Sequence, residues 1–492
     1  MFNIESENEK PSRTFIKKDA ILLFVILCIA LALRLYKVNI PLADWHSWRQ
    51  VDTAAVARNF ATGDFNVMLP RYDDLSSIQS GTYNPEGYRF VEFPLYNAIF
   101  GAMYKYLPIV PVEVYGRLTT ILFSLIIISI IYYFALREHS RIAAIGAAII
   151  YSTFPFFVYY SRVVLPETTA ISFVFMAIFI AYLWAQSKQK FAPLLLLISG
   201  VCAALSILVK PTVIFYFLPI AYAFFIKYRF KFLKKPAPYV YLASVLVPFI
   251  LWRMWISKYP EGIPGFEWLL TSVNTYEGQK MIFFRPAFFR WILHERILLL
   301  IMGGYGALLP ILGLIEKSRK TLLVPMITLA AFTYLLTFQG GNVQHDYYQT
   351  VILPALALLG GIGIARLLHS SEHNQSLIIN IIVVIFIVGF SWTMSFYKIK
   401  DYYLYSEDLV NIGKIIQTLT PPNSKIVTDR DGDTTLLYLA NRKGMPAVIE
   451  DLGVLKEKGM QYFYTGKGDV AKEVRKIYTP IFENSNVFIF KL

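Results

Sequence analysis

Long runs of apolar residues, each about as long as a membrane is thick, recur through the first four-fifths of the chain. A spanning helix needs roughly 20 mainly apolar residues. Links rich in lysine and arginine, such as KYRFKFLKK at 227–235, separate several of the runs. With these links on the cytoplasmic side, the pattern predicts about eleven spans, an inner amino terminus and an outer tail. The spans are 19–37, 112–136, 142–160, 168–186, 192–209, 212–227, 238–257, 297–315, 321–338, 348–368 and 376–396.

Three segments on the predicted outer side are long or polar, at 38–111, 258–296 and 397–492. The first contains WHSWRQVDTAAVARNF, whose spacing predicts a short amphipathic helix lying along the membrane surface. The third mixes helix-like DLVNIGKIIQTL with strand-like KIVTD and VFIFKL, which predicts a small α/β domain. We therefore expect a helical membrane module at 1–396 and an outer domain at 397–492, to which the sequence assigns no catalytic part.

The composition also indicates a membrane protein, and the distribution of charge bears on which partners the protein binds. The chain has 492 residues, 56% of them hydrophobic and 16% charged, which is typical of a polytopic membrane protein. The net charge of +14 is scattered over separate links, so the sequence predicts no nucleic-acid face. The sequence contains no GK[ST] phosphate loop, HExxH or CxxC motif. It identifies no cofactor, leaves a divalent cation open, and leaves any metal ligands unknown.

The most chemically suggestive stretch is DWHSWRQVD, which carries Asp44 and Asp52 beside the first apolar run. A carboxylate at that boundary can act as a general base for a hydroxyl, and a neighbouring cation can hold a phosphate. The alternative is an interfacial helix in which Arg49 and Asp52 pair at i,i+3 while Trp45 and Trp48 anchor in the headgroup layer. The pattern leaves both interpretations open.

Two further links combine ionisable residues with helix boundaries. YYSRVVLPET contains Arg162 and Glu167, and Pro166 predicts a helix that begins at Glu167, where an acid also complements the helix dipole. GGNVQHDYYQ contains His345 and Asp346, which form either a substrate contact or a simple helix cap. Lys210, between two apolar runs, is either a snorkelling lysine or a phosphate ligand.

The order of these features resembles the GT-C superfamily of membrane glycosyltransferases, in the branch of the protein O-mannosyltransferases and the lipid A aminoarabinose transferase. The matching stretches are WRQVDTAAVARNFATGDF, EFPLYNAIFGAMYKYL, SRVVLPET and HDYYQTVILPALALLGG. The resemblance implies that a sugar passes, with inversion, from a polyprenyl phosphate to an acceptor hydroxyl, with an acid of the first outer loop as base. The relatives' Asp-Glu pair falls on Arg49 and Gln50, so Asp52 becomes the preferred base and Asp44 the second choice.

The resemblance also implies roles for other residues. Glu167 matches a second-loop acid that assists the acceptor or a metal. Glu92 falls near a position that is basic in the aminoarabinose transferase, so the phosphate contact passes to Arg162, Lys210 or His345. The complete predicted substrate-binding set is His46, Arg49, Arg58, Glu92, Arg162, Lys210, His345, Asp346 and Tyr347.

The implied partners are a polyprenyl-phosphate-linked sugar, an acceptor of unknown class (lipid, glycan or protein) and membrane lipid. The expected location is a bacterial plasma membrane, with the site on the extracytoplasmic face. Two rival functions are a transporter or flippase for an amphipathic lipid-linked anion, which predicts ionisable residues within spans, and a structural membrane protein, in which the loop acids are replaceable.

Overall fold

The computed structural model describes residues 14–187, 192–265, 285–317, 321–369 and 374–492. Most of them are helical, and a small sheet forms only in the tail. The helices are α1 (Lys17–Leu35), α2 (Ser47–Thr62), α3 (Leu95–Tyr106), α4 (Val112–Glu138), α5 (Arg141–Thr153), α6 (Pro155–Tyr160), α7 (Glu167–Gln186), α8 (Ala192–Val209), α9 (Phe217–Tyr228), α10 (Pro236–Ile256), α11 (Pro286–Phe289), α12 (Leu308–Leu314), α13 (Leu323–Thr337), α14 (Gln339–Gln344), α15 (Leu353–His369), α16 (Asn374–Ile399), α17 (Glu407–Leu419), α18 (Thr435–Leu439), α19 (Leu452–Glu457) and α20 (Gly468–Val474). Short 3₁₀ segments lie at Pro211–Tyr216, Arg229–Lys234, Pro260–Gly262, Tyr305–Ala307, Asp346–Ile352 and Lys400–Tyr403, and a π-helical segment lies at Arg290–Ile301.

The apolar helices are built for a membrane. Among the described residues, seven helical segments are long and apolar enough to cross it, or eight if one sharply bent pair counts as a single span. Helix α16 leaves Ile379, Ile382 and Ile385 about 60% exposed, a surface that suits lipid rather than water. The protein is therefore a multi-pass membrane protein, while the count of eleven spans stays a prediction.

Two predicted spans are not continuous helices. The run at 142–160 is divided at Phe154, because Pro155 has no N–H to continue the hydrogen-bond ladder of α5. The run at 297–315 falls on Pro286–Ile301 and Tyr305–Leu314, which meet at an angle of 108°. Gly303 has φ +59°, and a Cβ there would lie 1.8 Å from the Ser391 carbonyl oxygen, so a glycine is required at this bend. In the predicted outer segment 258–296, residues 266–284 lie outside the described part.

The tail forms the predicted α/β domain around one five-stranded sheet. Its strands are β1 (Lys425–Thr428), β2 (Lys443–Met445), β3 (Tyr462–Thr465), β4 (Thr479–Glu483) and β5 (Phe488–Lys491). The order is β2-β1-β3-β5-β4. Strand β1 pairs in parallel with β2 and β3, while β5 is antiparallel to β3 and β4. Phe463 and Phe490 pack in its core.

The first loop is hydrogen-bonded to the edge of this sheet. Asp74 forms a parallel bridge with Gly444 of β2. The N–H of Leu75 donates to the Gly444 carbonyl over 2.7 Å, and the N–H of Gly444 donates to the Asp73 carbonyl over 2.9 Å. These backbone bonds hold the tail against α2, the helix that carries much of the predicted site.

Candidate active site

Helix α2 is buried on every face. Residues 49–57, more than two helical turns, are all buried, and Asp52 is 2% exposed. The tail covers one side, where the Thr435 and Ser47 hydroxyls lie 3.0 Å apart. Protein therefore encloses this part of α2, with the tail on the side of Ser47 and Asp52, while its predicted position along the membrane surface stays a prediction.

The predicted ion pair between Arg49 and Asp52 does not form, because both side chains have other partners. Arg49 Nη2 lies 2.6 Å from Glu92 Oε1. Lys210 Nζ approaches the same Glu92 oxygen at 2.8 Å and Glu167 Oε1 at 2.9 Å. Residues from four separate stretches thus meet in one buried cluster of alternating charge. Glu167 reaches it from the first turn of α7, which begins after Pro166 as the sequence predicts.

Asp52 has two partners, one of them from the tail. Its Oδ2 lies 2.8 Å from Arg89 Nη2, and its Oδ1 accepts a 2.7 Å hydrogen bond from the Thr434 hydroxyl. Oδ2 is buried and has no aligned hydrogen-bond donor among the described residues. Arg89 Nε and Nη1 are likewise buried without an acceptor in the described part of the chain. Buried polar atoms are normally bonded, so this pair has spare hydrogen-bonding capacity.

Asp52 and Glu92 differ in proton affinity, and Asp52 is buried whereas the Glu92 side chain is 12% exposed. Burial raises the pKa of Asp52, and the nearby Arg89 only partly opposes that rise. Burial also acts to raise the pKa of Glu92, but Arg49 and Lys210 outweigh it and bring the pKa down to about 2. Of the two, Asp52 is therefore the better proton acceptor.

A cavity of about 190 Å³ opens beside these groups. Its wall is apolar over much of its area, with Phe93, Leu208, Phe249, Trp252 and Ile263 among the lining residues. The basic residues in its lining are Arg49, Arg89, Lys210 and Arg253. Glu92, His345 and Tyr347 also line it. A much smaller cavity lies against Asp52 and shares the side chains of Arg49, Arg89 and Glu92 with the larger one. These three residues stand between the larger cavity and the proposed base.

His345 and Tyr347 enter the larger cavity from the link before α15. Their rings stack with centroids 5.3 Å apart. Burial and the neighbouring His46 lower the pKa of His345 to about 4, so it is neutral at pH 7. A neutral imidazole and a phenol can hydrogen-bond sugar hydroxyls, but neither adds positive charge for a phosphate.

Asp346 and His46 belong to a separate hydrogen-bonded group. The Tyr160 and Tyr402 hydroxyls each donate to the Asp346 carboxylate over 2.6 Å, and Trp45 Nε1 donates over 3.2 Å. His46 Nε2 lies 2.6 Å from the same carboxylate. With four partners on its two oxygens, Asp346 has little capacity left for a substrate, so its predicted role in substrate binding has no support here.

Asp44, Arg162 and Arg58 do not line the larger cavity. Asp44 accepts from Gln50 over 2.9 Å and lies 3.9 Å from Arg117, while burial raises its pKa. Arg162 donates to the Lys37 carbonyl over 2.9 Å.

Arg58 pairs with Asp73 and donates to the Tyr438 carbonyl over 2.9 Å. These contacts give Asp44, Arg162 and Arg58 structural partners, and they favour Asp52 over Asp44 as the proposed base.

Several residues of the site are absent from the sequence-based set. Arg89 lies three positions before Glu92, and this spacing of a basic and an acidic residue was the feature of the sequence that could have identified it. Thr434 and the cavity residue Trp252 carry no sequence signal, since threonines in tails and tryptophans near span ends are common. Among the described residues, no group of three or more His, Cys, Asp or Glu side chains is arranged to hold a metal ion.

Comparisons with known proteins agree with this architecture. Residues 107–255 match the family model for dolichyl-phosphate-mannose-protein mannosyltransferase. Among solved structures, ArnT from Cupriavidus metallidurans bound to undecaprenyl phosphate aligns with a TM-score of 0.64 at 12% identity, covering 97% of this chain and 98% of that one. A search of curated proteins found no match.

A second ArnT structure, in the apo state, aligns with a TM-score of 0.62 at 11% identity over 96% of this chain and 98% of that one. Archaeal oligosaccharyltransferase AglB from Archaeoglobus fulgidus, in complex with an inhibitory peptide and a dolichol-phosphate, aligns with a TM-score of 0.57 at 10% identity over 91% and 70%. The fold is thus that of the GT-C superfamily of membrane glycosyltransferases, which the sequence resembles.

Proposed function

We propose that the protein transfers a sugar from a polyprenyl phosphate to an acceptor hydroxyl at the extracytoplasmic surface of a bacterial plasma membrane. The observation that carries the proposal is a cavity with a largely apolar wall and several cations, close to a buried carboxylate with one oxygen that lacks an aligned donor among the described residues. An isoprenoid chain suits the apolar wall and a phosphate suits the cations. A carrier lipid also holds its phosphate at the membrane boundary, where the first loop leaves α1.

In this proposal the donor phosphate binds to Arg89, Arg49 and Lys210. Arg89 has two buried N–H groups without acceptors in the described chain, and a guanidinium fork matches phosphate oxygens. Arg49 and Lys210 are already shared with Glu92, which fixes their positions. Positive groups held at the leaving phosphate stabilise the charge that develops there.

Asp52 is the proposed general base. The acceptor oxygen attacks the anomeric carbon on the face opposite the phosphate, Asp52 takes the hydroxyl proton, and the bond from the anomeric carbon to the phosphate oxygen breaks. The electron pair leaves with the polyprenyl phosphate, and the anomeric configuration inverts. The raised pKa of Asp52 suits proton acceptance, whereas Glu92, with a pKa of about 2, is a weak base. Glu167 positions Lys210.

The experiment is transfer from a panel of radiolabelled undecaprenyl-phosphate sugars by purified protein in lipid. Asp52→Asn should lower turnover about 10²–10⁴-fold, the range that a positioned base contributes. Glu86→Gln is the matched control, because Glu86 is an exposed acid of the same loop that pairs with Arg71. Full activity in a well-folded Asp52→Asn variant would remove Asp52 as base.

The transporter is the rival function, and the same variants separate it from transfer. A flippase would move a labelled undecaprenyl-phosphate sugar across vesicle membranes without cleaving the bond between sugar and phosphate, and its rate would not depend on a proton acceptor at Asp52. Translocation without cleavage, unchanged in Asp52→Asn, would replace the transferase proposal. Sugar release that depends on Asp52 would exclude both the flippase and the purely structural alternative.

A further inference from the structure

A second, larger cavity lies between the first loop and the tail. It has a volume of about 630 Å³, and residues from the end of α2, the segment 69–73 and the loops around β1 and β2 line it. The charged lining residues are Arg58, Arg71, Lys425, Arg442 and Lys443 against Asp64 and Asp73. Formally this surface has five cations and two anions. We name it the basic cleft.

Three of the five cations have structural partners. Arg58 pairs with Asp73, and Arg71 lies 2.7 Å from Glu86. Arg442 donates to backbone carbonyls, including that of Thr420 at 2.6 Å. Their positions are therefore fixed by the fold.

The other two cations are Lys425 and Lys443, and neither ammonium lies within 4 Å of a carboxylate in the described part of the chain. They are register partners at the start of the parallel strands β1 and β2, so both side chains leave the same face of the sheet. Like charges placed directly opposite each other destabilise a sheet. Partial burial also lowers the pKa of Lys443.

Edge protection does not account for this lysine pair. Lysines at a sheet edge commonly prevent association with other strands. Here the outer edge of β2 is already occupied, because Gly444 exchanges backbone hydrogen bonds with Asp73 and Leu75 of the first loop. Both lysines line the cleft instead, where the lining carries five cations against two anions, so a bound anion would offset the excess positive charge.

The cleft is also close to the proposed base. Asn59 and Phe60 line it, and Asp52 lies two turns earlier on the same helix, about 10 Å along the axis. The segment around Pro70 forms a common wall, since Pro70 lines the small cavity at Asp52 while Leu69 and Arg71 line the cleft.

We propose that the basic cleft binds the acceptor, and that the acceptor is a glycan carrying phosphate, sulfate or carboxylate groups. Lys425 and Lys443 bind its anionic group, and the Asn423 amide and the side-chain oxygen of Asn59, whose Nδ2 donates to the Arg71 carbonyl, hydrogen-bond its hydroxyls. The identification of the bound glycan as the sugar acceptor rests on the proposed function. The binding of an anionic glycan in the cleft does not depend on it.

The test is equilibrium binding of a fluorescent sulfated tetrasaccharide to the purified full chain, with the desulfated tetrasaccharide as the neutral probe. Wild type should bind the sulfated probe at least tenfold more tightly, with an affinity that falls as salt rises. The double variant Lys425→Gln/Lys443→Gln should lose at least tenfold in that affinity. Lys472→Gln/Lys476→Gln, the matched control, removes the same charge from two exposed positions of the same domain, one in α20 and one just after it, and should change the affinity less than twofold.

Equal binding of both probes by wild type, or equal losses in the two double variants, would overturn the cleft as a site. Competition by vesicles distinguishes a lipid-borne anion from a free glycan. If phosphatidylglycerol vesicles displace the probe and phosphatidylcholine vesicles do not, the anion belongs to a lipid-linked acceptor. Binding of undecaprenyl phosphate is measured in parallel and should be unchanged by Lys425→Gln/Lys443→Gln. If the wild-type protein does not bind undecaprenyl phosphate, the proposed function is contradicted, while the result on glycan binding is unaffected.

Discussion

Two buried carboxylates, Asp346 and Asp52, differ in how completely their oxygens are hydrogen-bonded. Both are at most 2% exposed. Asp346 accepts from two tyrosines and a tryptophan and contacts a histidine. Among the described residues, Asp52 has one hydrogen-bond donor and an ion pair, and one of its oxygens has no aligned donor. Burial alone therefore says little about function, whereas unused bonding capacity beside a cavity is informative.

The largest expected effect is on stability, from removing the saturated acid. Asp346→Ala leaves several buried donors without an acceptor and should lower the free energy of unfolding by about 3–5 kcal/mol. Denaturant titration in detergent micelles measures this loss. Asp346→Asn, which keeps an acceptor oxygen, should recover part of it. A stable Asp346→Ala protein that fails only in transfer would erase the distinction between the two acids.

The next effect is on donor binding at the charged cluster of Arg49, Glu92, Glu167 and Lys210, beside the 190 Å³ cavity. Lys210→Met/Glu167→Gln removes both members of one pair, so neither charge is left buried alone and stability should change by only about 1 kcal/mol. The loss of one charged contact to phosphate, worth about 1.5–3 kcal/mol, should weaken undecaprenyl phosphate binding roughly 10–100-fold. Fluorescence quenching of Trp252 in the cavity wall offers a binding signal. Unchanged affinity would remove Lys210 from the phosphate site.

The pH dependence of transfer sharpens the contrast between Asp52 and Glu92. A base acts deprotonated, so the rate should fall tenfold per pH unit as pH drops below the raised pKa of Asp52. Glu92, with a pKa of about 2, stays ionised across the assay range. Glu92→Gln should therefore keep the acid limb of the rate profile. An acid limb that vanishes in Glu92→Gln would assign the base to Glu92.

The smallest effect concerns the tail. Thr434→Val removes the hydroxyl that donates to the ionised carboxylate, so the pKa of Asp52 should rise further. The acid limb of the rate profile should move to higher pH, with the plateau rate changed less than threefold. Thr435→Val is the control, since its hydroxyl contacts Ser47 instead. An unshifted limb would leave Thr434 with a packing role only.

The sequence predicted what depends on local periodicity and left out what depends on distant contacts. The run at 112–136 became α4 at Val112–Glu138 because one apolar stretch determines one helix. The run at 297–315 does not form one straight helix because a glycine with positive φ lies at the bend, and hydropathy carries no information about backbone conformation. The α/β tail was confirmed from its alternation of helix-like and strand-like stretches.

The site was only partly within reach of the sequence. Arg49, Glu92 and Lys210 were all in the predicted set, but Glu92 lies 43 residues from Arg49 and 118 from Lys210, and no pattern in the chain joins them. The resemblance to GT-C proteins indicated which stretches carry the candidate residues, and the structure showed which of those residues contact each other. Thr434 was out of reach because the tail's docking depends on backbone bonds to Gly444, which are not encoded by any motif.

The hydrogen bond between Asp52 and Thr434 joins residues 382 positions apart. Synthesis proceeds from the amino terminus at about 5–20 residues per second, so the first loop leaves the ribosome at least some 20 seconds before its partner exists. During that interval α2 has neither the cover of the tail nor the edge of the sheet. The surroundings of Asp52 are therefore completed only after the membrane helices have been made.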